Sequence, residues 1–396
     1  MKVPFPEMLL QTLWHLRKLP NRYRSTQEED VFIQKQGFWN QESGPDFQEA
    51  SVQIDGIQWL GQIEFHLCSS DWYKHNHHQD KAYDSVILHV VFHHDKEVYI
   101  QGNILSTIEI HPFVSGKTIN SWQSLQGQTR RLSCAGFSDI PPWVFNAQLD
   151  RMGMERLIQK VSSIRSLMVK RSWDWNQVYW YLVCRFLGGY VNKEGFSLLG
   201  EQVSWTIIQR LDPILVPVLI QGFAGMLSEK AELLEFAILG QRFGLEIPTK
   251  AIWKTGKTRP GNQLKTRVGQ LANFAKFWKG IQFSMVEPSR PTLGLAFGFN
   301  ESASLGFVDG YKLNVWSLFL ALRAKEEQAV ACQENVSPED NRFTRIYGLN
   351  VDKKDQNGFR TQGMNHLWNS LCAHKKCLNC GVGQFILIQK NDSSHS

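Results

Sequence analysis

Two short stretches carry residue types suited to hydrolytic chemistry: Gly44-Pro45-Asp46-Phe47 and Gln62-Ile63-Glu64-Phe65-His66. Two carboxylates held close repel each other unless a cation lies between them. A hard ion such as Mg²⁺ or Mn²⁺ suits oxygen donors, keeps several waters and can turn one of them into a nucleophile. His66, with an ordinary pKa near ~6.5, adds a group able to serve as a base or a part-time cation. The plain alternative is a turn in which Asp46 only caps backbone N–H groups.

The elements that must position these residues can be read around them. Phe5–Leu19 has apolar residues near helical spacing and stops at Pro20. Val31–Phe38 reads as a strand. Phe47–Ile54 and Trp59–Leu67 read as two more, joined at Asp55-Gly56, a strong hairpin signal. In that hairpin residue n faces roughly residue 111 − n, so Asp46 falls opposite about position 65, beside Glu64. Alternation puts Glu64 and His66 on one face, with Ile63 and Phe65 pointing into the core on the other. Ser69–Ser85 reads as a polar loop ending in a short helix. Val86–Phe92 is almost wholly apolar, as in a strand buried on both faces. Val98–Ile110 reads as a hairpin turning at Gly102-Asn103.

An Asp followed eighteen residues later by Glu-x-His on a hairpin resembles the PD-(D/E)XK nuclease signature. The preceding helix and the following helix and buried strand are similar to that superfamily's core order. The same stretch resembles an uncharacterised bacterial family through Gly44–Phe47, Ile63–His66, Ser70–Trp72, His75 to His78, Asp80, Ala82-Tyr83 and Val86–Val91. The nuclease resemblance implies a restriction-endonuclease-like mixed sheet over residues 1–115. It also implies Asp46 and Glu64 as Mg²⁺ or Mn²⁺ ligands, helped by the Phe65 carbonyl, with Glu7 as a third carboxylate. His66 departs from it, standing where the superfamily usually has Lys. The resemblance implies metal-dependent cleavage of DNA or RNA. Two alternatives stay open: a nucleic-acid-binding protein with a nuclease-like fold and no activity, and a His-rich metallohydrolase. The last draws on histidine density, since seven of the twelve histidines lie between His66 and His94, with Asp80 as a further ligand. His89, inside an apolar strand, reads as a core histidine, and His93 and His94 as solvent-facing.

The expected fold class is α+β, in four segments: the nuclease-like domain 1–115, a Ser/Gln/Gly/Pro connector 116–142, a helical domain 143–335, and a polar tail 336–396 with a cysteine cluster. The helices expected in the third segment are Val144–Lys170, Trp175–Leu187, Glu194–Leu211, Pro213–Leu227 and Lys230–Phe243. In the tail, Cys372, His374, Cys377 and Cys380 form a C-x4-C-x2-C pattern with a His inside it. That donor set suits structural Zn²⁺, with an iron–sulfur cluster as the alternative.

The net charge of +6 is modest, but its distribution is uneven. From Ile247 to Val286 there are eight Lys or Arg and no acid. Lys254, Lys257, Arg259, Lys265 and Arg267 are the expected nucleic-acid contacts, with Trp253, Phe274, Phe277 and Trp278 interleaved for stacking. The bland reading is a solvated face over ordinary core aromatics. No apolar run approaches the ~18 residues of a membrane span, and no phosphate-binding loop motif is present. Neither a membrane nor a nucleotide cofactor is therefore expected. Without a signal-peptide pattern or a disulfide framework, the chain reads as cytoplasmic.

Overall fold

The computed structural model describes residues 5–127, 132–137, 139–246, 252–254, 256, 260–280, 287–300, 302–347 and 351–389. The chain divides into two compact units. The first comprises Met1–Gln148, Leu349–Val351 and Leu367–Ser396; the second comprises Leu149–Gly348 and Asp352–His366. The fold class is α+β, as expected: a mixed sheet followed by a mostly helical region.

In the first unit the helix α1 (Met8–His15) is followed by strands β1 (Arg22–Arg24), β2 (Asp30–Lys35), β3 (Phe38–Trp39), β4 (Phe47–Ile54) and β5 (Ile57–Cys68). A short helix α2 (Asp71–Lys74) and two 3-10 turns, His77–Gln79 and Lys81–Tyr83, lead to β6 (Val86–His93). A small hairpin of β7 (Tyr99–Ile100) and β8 (Asn103–Ile104) precedes β9 (Thr107–Glu109). The main sheet runs β1-β2-β4-β5-β6-β9, with β3 beside β4. The pairs β1–β2, β2–β4 and β4–β5 are antiparallel, whereas β5–β6 and β6–β9 are parallel. A parallel pair needs a crossover rather than a tight turn. Residues 69–85 supply it, and so lie across one face of β5.

The expected hairpin register holds from Ile54↔Ile57 to Ala50↔Gly61. A bulge then moves Phe47 opposite Ile63. Glu49, at φ +53°, takes up the extra residue in the left-handed region. Gly61 sits where β6 begins: a Cβ there would lie 2.5 Å from Ile87 Cγ2 and 2.6 Å from the Ser85 carbonyl. The crossover can therefore close only over a glycine.

The core of this unit lies under α1. Leu9, Leu10 and Trp14 are fully buried, and the Trp14 ring stands 5.4 Å from Phe65 and 6.4 Å from Phe47. The segment expected as a connector contains the helix α3 (Gly116–Gly127) and a 3-10 turn, Ser133–Gly136. Together with the C-terminal helix Gly381–Ile388 they belong to the first unit.

The second unit is helical. Helices at Trp175–Gly188, Lys193–Gln202, Trp205–Arg210, Leu215–Phe223, Lys230–Phe243 and Leu264–Trp278 surround a continuous core that includes Trp180, Phe196, Phe223 and Phe274. The single helix expected over Glu194–Leu211 is two helices. Ser204 breaks it and caps the second, its hydroxyl accepting from the Ile207 N–H at 3.3 Å. No helix among the described residues is long and apolar enough to cross a membrane.

Candidate metal centre

Pleating at β5 sends Ile63 and Phe65 to the α1 side, and Glu64 and His66 to the side covered by residues 71–83. All four are buried. The bulge in β4 brings Asp46 level with Glu64. The Asp46 N–H donates to Glu64 Oε2 at 3.0 Å, and the Phe65 N–H donates to Asp46 Oδ2 at 2.9 Å. The capping role weighed for Asp46 is thus real, but it works across strands. Glu7 precedes the first turn of α1, and Gln11 Nε2 donates to Glu7 Oε1 at 3.2 Å. The Gln11 side chain also lies close enough to Asp46 to favour its ionised form, so it stands between the two carboxylates.

The crossover lays an aromatic lid over this face. Trp72 is fully buried and edge-on to His66, His77, His89 and Tyr83. Tyr83 stacks on His77 with ring centroids 3.7 Å apart. Beneath the lid, His77 Nε2 stands 3.3 Å from Glu64 Oε1, and His66 Nε2 stands 3.1 Å from His75 Nδ1. The ligand atoms of His66, His75 and His77 lie within 4.8 Å of one another. His66 Nδ1 is 2.8 Å from His89 Nε2, and parallel pairing places His89 beside Glu64. If Nδ1–H of His66 donates to His89, the Nε2 lone pair of His66 is left facing the cluster.

Electrostatics mark the cluster as one that a positive charge would stabilise. Burial pushes Glu64 up to about 8, against the pull of the Asp46 N–H. Burial, then repulsion from Glu64, pushes Asp46 up to about 7, against the Phe65 N–H, Gln11 and His77. Burial, then repulsion from Asp46, Glu64 and Asp71, pushes Glu7 up to about 9. The imidazoles of His66, His77 and His89 move the other way. Burial, then neighbouring His89, His77 and His75, holds His66 far below its ordinary value, and burial lowers His89 to about 3. Carboxyls that resist ionising beside imidazoles that resist protonating form a set of neutral donors. A cation would reverse the carboxyl shifts.

Four of the residues singled out in the sequence, Glu7, Asp46, Glu64 and His66, are therefore brought together. His75 and His77 join them from the loop, and His89 stands behind His66 as a core histidine that also orients it. Gln11 was missed, because a glutamine on an amphipathic helix carries no signal of its own. Asp80 is exposed and accepts from the Ala82 N–H at 2.9 Å, capping its own 3-10 turn. His93 and His94 are half-buried rather than solvent-facing, both against Glu109. His93, Glu109 and His111 make a second, more exposed group of potential ligands.

The basic stretch is less uniform than its composition. Lys257 and Arg259 lie outside the described residues. Lys254 and Lys265 are exposed. Arg267 is not free for a phosphate: its guanidinium donates to Gln270 Oε1 at 3.0 Å and to Asn262, and lies over the Phe307 ring. Trp253 and Phe274 are core residues, and only Phe277 of the interleaved aromatics is clearly exposed. His374 is likewise exposed, and it does not line the cavity that Cys372, Cys377 and Cys380 share.

The fold and site define an α+β protein with a buried carboxylate–imidazole cluster on a mixed sheet. The chain belongs to the family described as "Protein of unknown function (DUF2851)", which matches residues 7–293 and so takes in the whole cluster from Glu7 to His89. No curated protein and no solved structure matches the chain.

Proposed function

We propose that the protein is a divalent-metal-dependent nuclease that hydrolyses phosphodiester bonds of DNA or RNA at the Asp46–Glu64 centre. The observation that carries this reading is the cross-strand lock between Asp46 and Glu64, with Glu7 close enough to repel both. Three carboxyls in one buried cluster have little use without a cation. The order of one helix, an antiparallel hairpin bearing Asp46 and Glu64-x-His66, a crossover and a parallel strand further supports it.

Asp46, Glu64 and Glu7 supply hard oxygen donors, and His66, His75 and His77 supply borderline nitrogens. That mixture fits Mn²⁺ at least as well as Mg²⁺. When bound, such an ion activates water and polarises a phosphoryl oxygen. His66 is buried and neutral, so it does not supply the fixed positive charge of a lysine at its place. His75 is exposed at the mouth of the cluster, where it can exchange a proton with an attacking water or a leaving oxygen.

Incubating the purified chain with single- and double-stranded DNA and RNA, with Mg²⁺ or Mn²⁺, tests the proposal. Cleavage that disappears in Asp46→Asn supports it. Binding without cleavage points to an inactive nucleic-acid binder. A second reading, hydrolysis of a small substrate, draws on the proximity of His66, His75 and His77. Hydrolysis of small phosphate or ester substrates without affinity for nucleic acid would favour it.

A further inference from the structure

The C-terminal cysteines meet a partner from far along the chain. One cavity of about 30 Å³ in the first unit is lined by Cys134, Cys372, Cys377 and Cys380, together with Leu125, Ser133, Leu371 and Val382. Cys134 lies on the 3-10 turn Ser133–Gly136, Cys372 and Cys377 on two further 3-10 turns, and Cys380 at the start of the helix Gly381–Ile388. All belong to the same compact unit. Each of the four cysteines reaches the cavity wall from a tight turn or a helix start, a setting in which thiolate ligands are commonly held.

The surrounding contacts hold these turns together without filling the space between them. Gln126 Nε2 of α3 donates to the Lys375 carbonyl at 3.2 Å, and Thr118 Oγ1 donates to the Leu387 carbonyl at 3.4 Å. The C-terminal helix approaches the Cys377 turn so closely that a Cβ at Gly383 would stand 2.1 Å from the Cys377 carbonyl. Ser133 lines the cavity beside Cys377.

We propose that Cys134, Cys372, Cys377 and Cys380 are the four thiolate ligands of one resident soft-metal centre, and that His374 is not a ligand. Four thiolates take either mononuclear zinc or an iron–sulfur cluster. Loading is ligand exchange with no net electron transfer: four thiols give up four protons as four metal–sulfur bonds form. The centre ties the turn after α3 to the C-terminal segment, joining chain separated by more than two hundred residues. This assignment does not depend on the nuclease reading.

The test is metal and sulfide content of the full chain, purified anaerobically. About four iron and four sulfide per chain, with charge-transfer absorption, identifies a cluster; about one zinc and no colour identifies the mononuclear site. Either should be lost in Cys134→Ala and kept in His374→Ala. Should Cys134→Ala fail to fold, alkylation of the unaltered protein gives a second readout. The four cysteines should be protected together until a chelator is added, and then react together. A metal-free chain, disulfides among these cysteines, or retention of metal by Cys134→Ala would each overturn the assignment.

Discussion

Asp46 and Glu64 each accept a hydrogen bond from the other's strand: the Asp46 N–H meets Glu64 Oε2, and the Phe65 N–H meets Asp46 Oδ2. The exchange fixes both carboxyls by backbone, so their separation does not depend on a side-chain rotamer. It also leaves each carboxyl one oxygen for another partner.

Asp46→Asn and Glu64→Gln should therefore keep the fold while losing the cation. Each amide retains a carbonyl oxygen to accept the same N–H, and each removes one of the clustered charges. Without metal at pH 8 to 9, melting should stay level or shift upward by the equivalent of ~1–2 kcal/mol. The stabilisation that Mn²⁺ gives the unaltered protein should vanish, along with cleavage. A variant that melts much lower yet still responds to Mn²⁺ would show that these carboxyls only brace the hairpin.

Proton linkage gives a second expectation. Asp46, Glu64 and Glu7 have folded-state pKa values raised to about 7, 8 and 9, above their ordinary range near 4. The folded protein without metal therefore holds more protons than the unfolded chain between about pH 4 and 9. The cluster's favourable contribution is complete below that window and is lost as pH rises through the folded values. A cation competes with those protons, so its binding should release at least about one proton at pH 7, and its affinity should climb about tenfold per pH unit for each proton released. Titration calorimetry in two buffers of different ionisation enthalpy reads the proton count directly. A count of zero would mean the carboxyls are not the ligands.

If the cluster holds a cation, its histidines should set which one is preferred. His77 Nε2 faces Glu64 Oε1, and imidazole nitrogen favours Mn²⁺ over Mg²⁺. His77→Ala should weaken Mn²⁺ binding about 10–100-fold and Mg²⁺ binding much less. Equal losses for both ions would make His77 a packing partner of Tyr83 rather than a ligand.

The sequence makes the hairpin legible because Asp55-Gly56 fixes the turn, and the five residue pairs from Ile54↔Ile57 to Ala50↔Gly61 keep the register that this turn sets. The bulge at Glu49 was not legible. Nothing about a glutamate announces a positive φ, yet that one residue changes the partner of Asp46 from about position 65 to Glu64. The convergence of His75 and His77 on His66 was only partly legible, because a polar loop has no period to show which side chains turn inward. Cys134 was hidden for a different reason: its neighbours lie beyond the whole helical unit, and spacing rules see only ligands close in sequence. His374 looked better on spacing alone, but its backbone turn leaves it in solvent.

The basic stretch offers the last test, sharpened by what became of its members. Lys254 and Lys265 are exposed, whereas Arg267 is committed to Gln270 and Asn262. If nucleic acid binds here, Lys254→Gln with Lys265→Gln should weaken binding and reduce the salt dependence by about one unit of slope for each lysine–phosphate pairing removed. Melting should barely move, because exposed lysines contribute little to folding. Arg267→Gln should do the reverse. It breaks the guanidinium's hydrogen bonds and removes its packing on Phe307, so it should lower stability by ~1–2 kcal/mol and leave the salt slope alone. Binding isotherms at several salt concentrations, run beside thermal melts of both variants, separate the two roles. An unchanged slope in the double lysine variant would show that these charges serve solubility, and that any nucleic acid is held elsewhere.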